Sequence, residues 1–306
     1  MAGLSKFGEK ALVAELIRLF DPEGTKSVGD DCAILEQGNE YLLMTTDIIS
    51  ESTHIPKGSR PEDIGWYAAA VNLSDIAAMG GTPAGMLFAL GLPKETEKEW
   101  LEALASGMKE CCDSFGVPVL GGDTKENPSI TIAGTAFGRV PKSQILRRGG
   151  ARPGDILAMT GKLGRSLLWE RTGDPAHVLR IEPRIAEGRM LAESGAVTSC
   201  IDISDGLSTS LHHLARASGL GFGLDFDSLP LPEGLRDADR ERAMHWGGDY
   251  ELLFTLAPEK AEQSLGAWKA AAIGCVTSET GIVLSRGGGR ENLPDRGYEH
   301  FRGDRS

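Results

Sequence analysis

Apolar and polar positions along the chain repeat with two periods, one typical of helices and the other of strands. The segment 5–20 spaces its leucines three and four residues apart, which predicts an amphipathic helix. Further helices are predicted at Pro61–Met79, Glu95–Phe115, Arg165–Arg171, Pro183–Ser194 and from Leu207 onward. Apolar runs predict strands at Ala84–Leu92, Val117–Leu120, Ser129–Gly138, Ile156–Met159, Glu251–Thr255 and Gly274–Val276. This alternation predicts an α/β fold.

Several predicted strands end in aspartates. Val28–Asp31, Leu42–Asp47 and Val117–Asp123 each deliver an acid where the strand should emerge into a loop, and Asp202 and Asp249 stand beside other strand-like runs. In sheets with helical crossovers, ligands usually bind at that edge. If the carboxylates converge, their repulsion in a low dielectric requires a divalent cation to neutralise them. Hard oxygen ligands favour magnesium, and magnesium points to phosphate chemistry.

Polar residues on two predicted helices leave alternatives open. Asn72 and Asp75 share a face of the helix 61–79 that is otherwise lined by alanine and valine, so they form either a solvated stripe or part of a site. Ser204 and Asp205 stand before the helix that starts at Leu207. They either cap that helix or lie beside a helix N-terminus that favours a phosphate.

Familiar phosphate and nucleophile motifs are missing. Thr160-Gly161-Lys162-Leu163 has neither the earlier glycine nor the following hydroxyl of a P-loop. No strand-linked dinucleotide-binding glycine motif and no G-x-S-x-G elbow is evident. His212 and His213 are adjacent, therefore on different helix faces, and are interpreted as structural. Phosphate chemistry here is expected to depend on metals and backbone amides, with no protein nucleophile.

Length and composition narrow the class of protein. A chain of 306 residues suggests about two domains, and proline and glycine concentrate between 139 and 154, where we expect the boundary. A net charge of −12 without a basic stripe argues against nucleic-acid binding. No apolar run is long enough for a signal core or a membrane span, so we expect a soluble cytoplasmic protein. Five cysteines without C-x-x-C spacing favour neither disulfides nor zinc.

Six motifs in order resemble the thiamine-monophosphate kinases, a family in the superfamily of aminoimidazole ribonucleotide synthetase. The match covers nearly the whole chain, and the long run 71–80 is shared more loosely across the superfamily. The segment Thr45–His54 and the terminal Gly297–Phe301 favour the thiamine branch. The motifs are Val28–Ala33, Thr45-Thr46-Asp47 with His54, Val71–Gly80, Gly121–Thr124, Ile201–Leu207 and Asp249–Thr255.

The resemblance implies an α/β fold of the α+β type in two domains. An N-terminal domain, 1–139, would bind ATP and metal and pair its sheet with a twin in a homodimer barrel, and a C-terminal domain, 140–306, would complete the active site. It implies transfer of phosphate from ATP to thiamine monophosphate, assisted by several Mg²⁺ ions. The alternatives are another ATP-using enzyme of the superfamily, of the hydrogenase maturation or purine biosynthesis type, and a non-catalytic sensor or scaffold.

The resemblance also implies roles for individual residues. The expected magnesium ligands are Asp31, Thr46, Asp47, Asp75, Asp123 and Asp202, assisted by Asp30, Thr45 and Asp205. The expected ATP contacts are Gly122, Asp123, Arg148 and Ser204. The expected substrate contacts are His54, Asp249 and Tyr298.

The chain departs from the family pattern at the substrate end. The family often reads G-G-E-D-Y-E-L, and on that alignment Gly248 occupies the place of the acid associated with thiamine. Asp249 either takes over that contact or the contact is lost. A family tryptophan that covers the thiamine ring near the C-terminus has no obvious counterpart, and Tyr298 is the proposed substitute.

Overall fold

The N-terminal half of the fold is a five-stranded sheet with two long helices on one face. The structure, a computed structural model, describes residues 3–23 and 29–301. The strands run in the order β1-β2-β5-β3-β4, antiparallel except for β3 beside β4. Their bounds are β1 Ala33–Gln37, β2 Glu40–Ser50, β3 Thr82–Leu92, β4 Val119–Glu126 and β5 Thr131–Pro141. The helices are α1 Glu9–Phe20, α2 Glu51–His54, α3 Pro61–Ala78 and α4 Lys98–Ser114.

The C-terminal half is built on a seven-stranded mixed sheet of order β12-β11-β8-β10-β6-β9-β7. The strands are β6 Ile156–Thr160, β7 Val197–Asp202, β8 Gly221–Asp225, β9 Leu252–Leu256, β10 Ala270–Thr277, β11 Ile282–Arg286 and β12 Gly289–Asn292. The helices are α5 Arg165–Thr172, α6 Ala176–Leu179, α7 Ile185–Ser194, α8 Leu207–Ser218, α9 Arg240–His245 and α10 Pro258–Ala267. No described helix is long and apolar enough to cross a membrane.

Most predicted elements are present within a few residues of their expected bounds, but the expectation that acids end strands is largely wrong. Gly29 to Cys32 form a bend, and β1 begins only at Ala33, so Asp30 and Asp31 precede a strand. Val28, which was part of that prediction, lies outside the described residues. Asp47 and Asp123 lie inside β2 and β4, and only Asp202 ends its strand.

Helix α3 lies at the centre of the molecule and is buried on almost every side, because its surface is mostly alanine and other apolar residues. Helix α4 packs against it so closely that a Cβ at Gly107 would lie 1.9 Å from the carbonyl oxygen of Glu62. On the C-terminal side, a Cβ at Gly188 of α7 would lie 2.2 Å from the carbonyl oxygen of Ala77. Backbone-to-backbone packing therefore joins α3 to both halves of the fold.

On the opposite face of the five-stranded sheet, none of the described residues forms a helix layer. Its exposed apolar residues include Leu35, Ile48 and Leu120, of which Ile48 and Leu120 are 63% and 60% exposed. A contiguous apolar patch on a protein surface usually marks a site of interaction with another molecule. Hydrophobic core residues accordingly lie on the α3 side of the sheet.

The packing of α4 on α3 makes Gly107 a sensitive position. We expect Gly107→Ala to lower the free energy of unfolding by about 1–3 kcal/mol, because the added methyl group forces two helix backbones apart. Gly266→Ala is the matched control, since Gly266 is also helical and nothing lies within 4 Å of an added Cβ. Urea denaturation measures both variants, and equal effects of the two would contradict the packing explanation.

Candidate active site

Three carboxylates from distant parts of the chain converge where the two halves of the fold meet. Asp31 comes from the bend before β1, Asp75 from α3 and Asp202 from the end of β7. One carboxylate oxygen from each lies within 4.8 Å of those from the other two. The structure therefore brings together three of the predicted magnesium ligands.

Two arginines hold the first pair of acids. Arg148 donates to Oδ1 of Asp31 from Nε at 3.2 Å and from Nη2 at 2.5 Å. The Asp31 side chain is 1% exposed, and its Oδ2 is buried without a hydrogen-bond partner in the described structure. Asp30 accepts from Arg147 Nη1 at 3.0 Å and from the backbone N–H of Arg148 at 2.9 Å. Arg148 thus orients Asp31 through Oδ1, and Oδ2 is left to coordinate a cation.

Hydroxyl groups and one amide orient the remaining acids. Thr45 Oγ1 donates to Asp75 Oδ2 at 2.5 Å, which places Thr45 at the cluster. Ser74 Oγ donates to Asp202 Oδ2 at 2.7 Å and so ties α3 to the C-terminal sheet. Asn72 is fully buried and accepts from the backbone N–H of Asp47 at 3.1 Å. Asn72 is therefore part of the site and not of a solvated stripe.

Burial and mutual repulsion raise the pKa values of the clustered acids. Burial, followed by the charge of Asp31, raises the pKa of Asp47 to about 6 and that of Asp202 to about 8. Burial, followed by the charge of Asp47, raises the pKa of Asp75 well above its usual value. Burial also raises the pKa of Asp31, although Arg148 opposes the shift. Without a cation, the ionised cluster is destabilised.

The donor set fits magnesium. The three carboxylates and the hydroxyl of Thr45 are hard oxygen donors of the kind that Mg²⁺ prefers, and no histidine or cysteine of the described residues belongs to this group. The free Oδ2 of Asp31 is an additional unsatisfied acceptor at the same place. A buried carboxylate oxygen without a partner is costly, so a bound cation satisfies both the charge and the open acceptor.

A cavity of about 330 Å³ is lined by described residues of both halves of the fold, although by none of the three clustered carboxylates. Its wall contains His54, Ser204, Asp205 and Tyr298, so four predicted site residues meet there. Burial, followed by Glu9, raises the pKa of Asp205 to about 6, and the charge of Asp47 adds to this shift. Asp205 therefore lies within electrostatic reach of the cluster and connects it to the cavity.

The loop before α8 does not cap that helix with a side chain in the described structure. Gly206, with φ of +100°, is the N-cap of α8, and no side chain caps the helix. The interpretation of Ser204 and Asp205 as capping residues is therefore wrong. The carbonyl oxygens of both residues take part in the fold instead, since Ser204 accepts from the backbone N–H of Gly248 and Asp205 from that of Tyr298.

Thr46, Gly122 and Asp123 are not gathered into the cluster. Strand pairing places Asp123 beside Ala89, Ala89 beside Ala133, and Ala133 beside Ile48, so Asp123 lies on the open face of the sheet. Gly122 lies on the opposite face of β4, where a Cβ would meet the carbonyl oxygen of Phe88 at 1.9 Å.

The side chain of Thr46 also lies on the open face, where it donates to the carbonyl oxygen of Gly134 at 2.8 Å. On β2 the two neighbours of Thr46, Thr45 and Asp47, lie on the other face, towards α3. The hydroxyl of Thr46 is therefore not directed towards the acid cluster of its own chain.

Asp249 lies behind the cavity wall. Its Oδ1 accepts from the backbone N–H groups of Gly164 at 2.8 Å and of Arg165 at 2.9 Å, at the N-terminus of α5. Its Oδ2 is buried without a partner, and burial raises its pKa to about 7. Gly248, and not Asp249, lines the cavity.

The structure adds site residues that had no predicted role. Ser74 is one, and Tyr67 and Tyr250 are others, which line the cavity and join their hydroxyl groups at 2.8 Å. Trp169 and Trp246 also form part of the wall. Tyr250 belongs to the motif Asp249–Thr255, but no pattern in the sequence pointed to Tyr67 as its partner.

Comparisons with known proteins identify the family to which the chain belongs. The family model of the AIR synthase related protein, N-terminal domain, matches residues 29–140, and that of the C-terminal domain matches residues 152–286. A thiamine-monophosphate kinase of Pyrococcus horikoshii is 35% identical over 95% of this chain and 96% of that protein. The structure of AaThiL complexed with AMPPCP and TMP has a TM-score of 0.87 at 29% identity and covers 98% of this chain and 99% of that one.

A hydrogenase maturation protein, HypE of E. coli, is more distant. It has a TM-score of 0.73 at 22% identity and covers 93% of this chain and 98% of that one. A likeness at this identity shows a shared fold and carries no functional alternative. The predicted α/β fold in two domains is confirmed by these matches.

The raised pKa values predict how pH and magnesium affect stability. An acid whose pKa is higher in the folded than in the unfolded chain loses stabilising free energy as pH rises, here between about 4 and 8. At pH 8 without metal, we expect Asp202→Asn to raise Tm by at least about 2 °C. The same variant should lose the rise in Tm that Mg²⁺ gives the unsubstituted chain, because ligands that bind the folded state stabilise it.

Differential scanning calorimetry at pH 5 and pH 8, with Mg²⁺ or EDTA, measures these shifts. Asp227→Asn removes an exposed acid and is the matched control, expected to behave as the unsubstituted chain does. A Mg²⁺-dependent rise in Tm that survives Asp202→Asn unchanged would contradict a metal site at the cluster.

Proposed function

The chain belongs to the AIR synthase related family, among the thiamine-monophosphate kinases, and we propose that it transfers phosphate from ATP to thiamine monophosphate to form thiamine diphosphate. It is thus a phosphotransferase with a phosphate group as acceptor. The observation that carries the proposal is a three-carboxylate cluster within electrostatic reach of the wall of a cavity that is large enough for a small phosphorylated ligand. The AaThiL structure, with its ATP analogue and TMP, supports it.

In this proposal Asp31, Asp47, Asp75 and Asp202 hold Mg²⁺, and Asp30, Thr45 and Asp205 assist. When bound, the cations neutralise the approaching phosphates and align the attacking and leaving oxygens. Ser204, Gly122 and Arg148 contact ATP, and His54 and Tyr298 contact thiamine monophosphate. Two observations support this assignment of metal ligands and substrate contacts. Asp31 Oδ2 has no hydrogen-bond partner among the described residues, and the charge of Asp47 acts on Asp205 in the cavity wall.

The protein's own contribution to the transfer is positioning. The attacking atom belongs to the substrate's phosphate, which is already largely ionised near neutral pH, so no strong general base is needed. Burial and the neighbouring His300 lower the pKa of His54 to about 4, so His54 is neutral at pH 7. Its Nδ1 accepts from the backbone N–H of Ser50 at 3.3 Å, which leaves Nε2 as the donor for a phosphate oxygen.

A homodimer is part of the proposal. The open face of the five-stranded sheet exposes Leu35, Ile48 and Leu120, and a second copy of the chain would bury them. Asp123 and the hydroxyl of Thr46 lie on this face. Their expected contacts with metal or ATP therefore depend on the partner copy.

Two further parts of the proposal concern organisation and location. We place the domain boundary between 139 and 140, just before β5 ends and the glycine-rich segment begins. A cytoplasmic location is supported by the cysteines, all five of which lie in the described residues and are free. Free thiols are typical of a reducing compartment.

The catalytic proposal predicts a thiamine-monophosphate-dependent release of ADP that requires Mg²⁺. We expect Asp47→Asn to lower kcat by about 100-fold or more, because it removes a charge that holds the cations at the transferring phosphate. A coupled ADP assay measures turnover. Asp237→Asn, on a surface side chain that is 87% exposed, is the control and should retain full activity. No thiamine-monophosphate-dependent ADP release from the unsubstituted chain would refute the proposal.

The dimer proposal predicts a particle of about twice 32.6 kDa in solution. Leu120→Asp should shift it to the monomer, because a charge buried in an apolar interface is desolvated without a partner. Light scattering after size-exclusion chromatography measures the mass. Met190→Asp places the same charge at an exposed position of α7 and should leave the dimer intact. A monomeric unsubstituted chain would contradict the proposal.

A further inference from the structure

Trp246 is the most exposed tryptophan of the five in the chain, at 37%, and it lies in the wall of the cavity. Leaving a large apolar ring partly in water is costly, and a ring that is exposed in the wall of a cavity is available to a ligand there. The position of the ring is nevertheless fixed. The backbone N–H of Trp246 donates to the carbonyl oxygen of Arg242 at 2.9 Å, which ends α9 at a defined place.

The ring itself is held from one side. The guanidinium carbon of Arg242 lies 4.9 Å from the centre of the Trp246 ring, and Arg242 in turn binds Glu170 at 2.7 Å. A tryptophan that is clamped on one side and open to a cavity loses little conformational entropy when it stacks on a ligand. This arrangement is that of a preorganised stacking surface.

The wall next to Trp246 is bare backbone. Gly247 and Gly248 follow it, and Gly248 has φ of +96°, a conformation that side chains rarely adopt. The hydroxyl of Ser166 is already used, since it donates to the carbonyl oxygen of Gly247 at 2.6 Å. Asp249 is turned away towards the N-terminus of α5. Within the part of the chain that the structure describes, positions 247 to 249 therefore place no charged side chain in the cavity wall.

We propose that Trp246 provides the surface on which the cationic heteroaromatic part of the phosphate acceptor stacks, so that it sets the affinity for the acceptor and not for ATP. This inference rests on the proposed function, which supplies an acceptor with a permanently cationic ring. Tryptophan is the best aromatic partner for a cation, and stacking needs no carboxylate in the wall. Asp205 and His54, on the same cavity, are left for the phosphate end and its metals.

The test compares Trp246→Leu, which keeps an apolar side chain without a π system, with Trp246→Phe, which keeps an aromatic face. We expect the leucine variant to raise KM for thiamine monophosphate about tenfold and the phenylalanine variant to raise it less than about threefold. KM for ATP should stay within twofold in both. Equilibrium binding of thiamine monophosphate, measured by calorimetry, should weaken in parallel with KM.

Quenching of tryptophan fluorescence by thiamine monophosphate gives a second readout, which should largely disappear in Trp246→Phe. Two results would overturn the inference: a leucine variant with unchanged affinity for thiamine monophosphate, or an equal loss of affinity for ATP. Circular dichroism and Tm establish that each variant is folded. If the unsubstituted chain made no thiamine diphosphate, the proposed function would fail, whereas an active chain insensitive to Trp246→Leu would refute only this inference.

Discussion

The burial of several carboxylates at the junction of the two halves is the constraint on which the rest of the structure depends. Asp31, Asp75 and Asp202 lie close enough to share one cation, and Arg148 is the cationic side chain that directly contacts one of them. The Ser74–Asp202 hydrogen bond crosses the same junction. The neutralisation of the acids and the mutual orientation of the two halves therefore depend on the same contacts. The hydrophobic burial of α3 offsets the repulsion and keeps the acids together until a cation binds.

The composition of α3 explains why this arrangement is possible. Its alanines and its close contacts with Gly107 and Gly188 allow backbones from both halves to approach it. A helix packed on all sides can present a polar group only where a neighbour accepts it. Asn72 binds the backbone of Asp47 and Ser74 binds Asp202, so each buried polar residue of this stretch orients one acid. Packing thus fixes the geometry that the chemistry uses.

Sequence periodicity was sufficient to predict most helices and strands, because burial patterns repeat locally. It was insufficient to predict on which face of a sheet an individual acid lies. Thr45 and Asp47 lie towards α3 while Thr46 lies on the other face, and a strand-end rule cannot distinguish neighbours that alternate. The unpredicted partners are also distant in sequence: 128 residues separate Ser74 from Asp202, and 183 separate Tyr67 from Tyr250. Only the folded sheets bring these pairs together.

The segment 246–250 shows how a shift of one residue changes the function of an acid. At Gly248 a carboxylate would stand in the cavity wall, whereas at Asp249 it binds the backbone N–H groups at the start of α5. That helix carries Ser166 and Trp169, which line the same cavity. Asp249 thus stabilises the wall that it does not enter. With the acid behind the wall, recognition in front of it depends on shape and on aromatic faces, and the remaining acids are left to the cations and the phosphates.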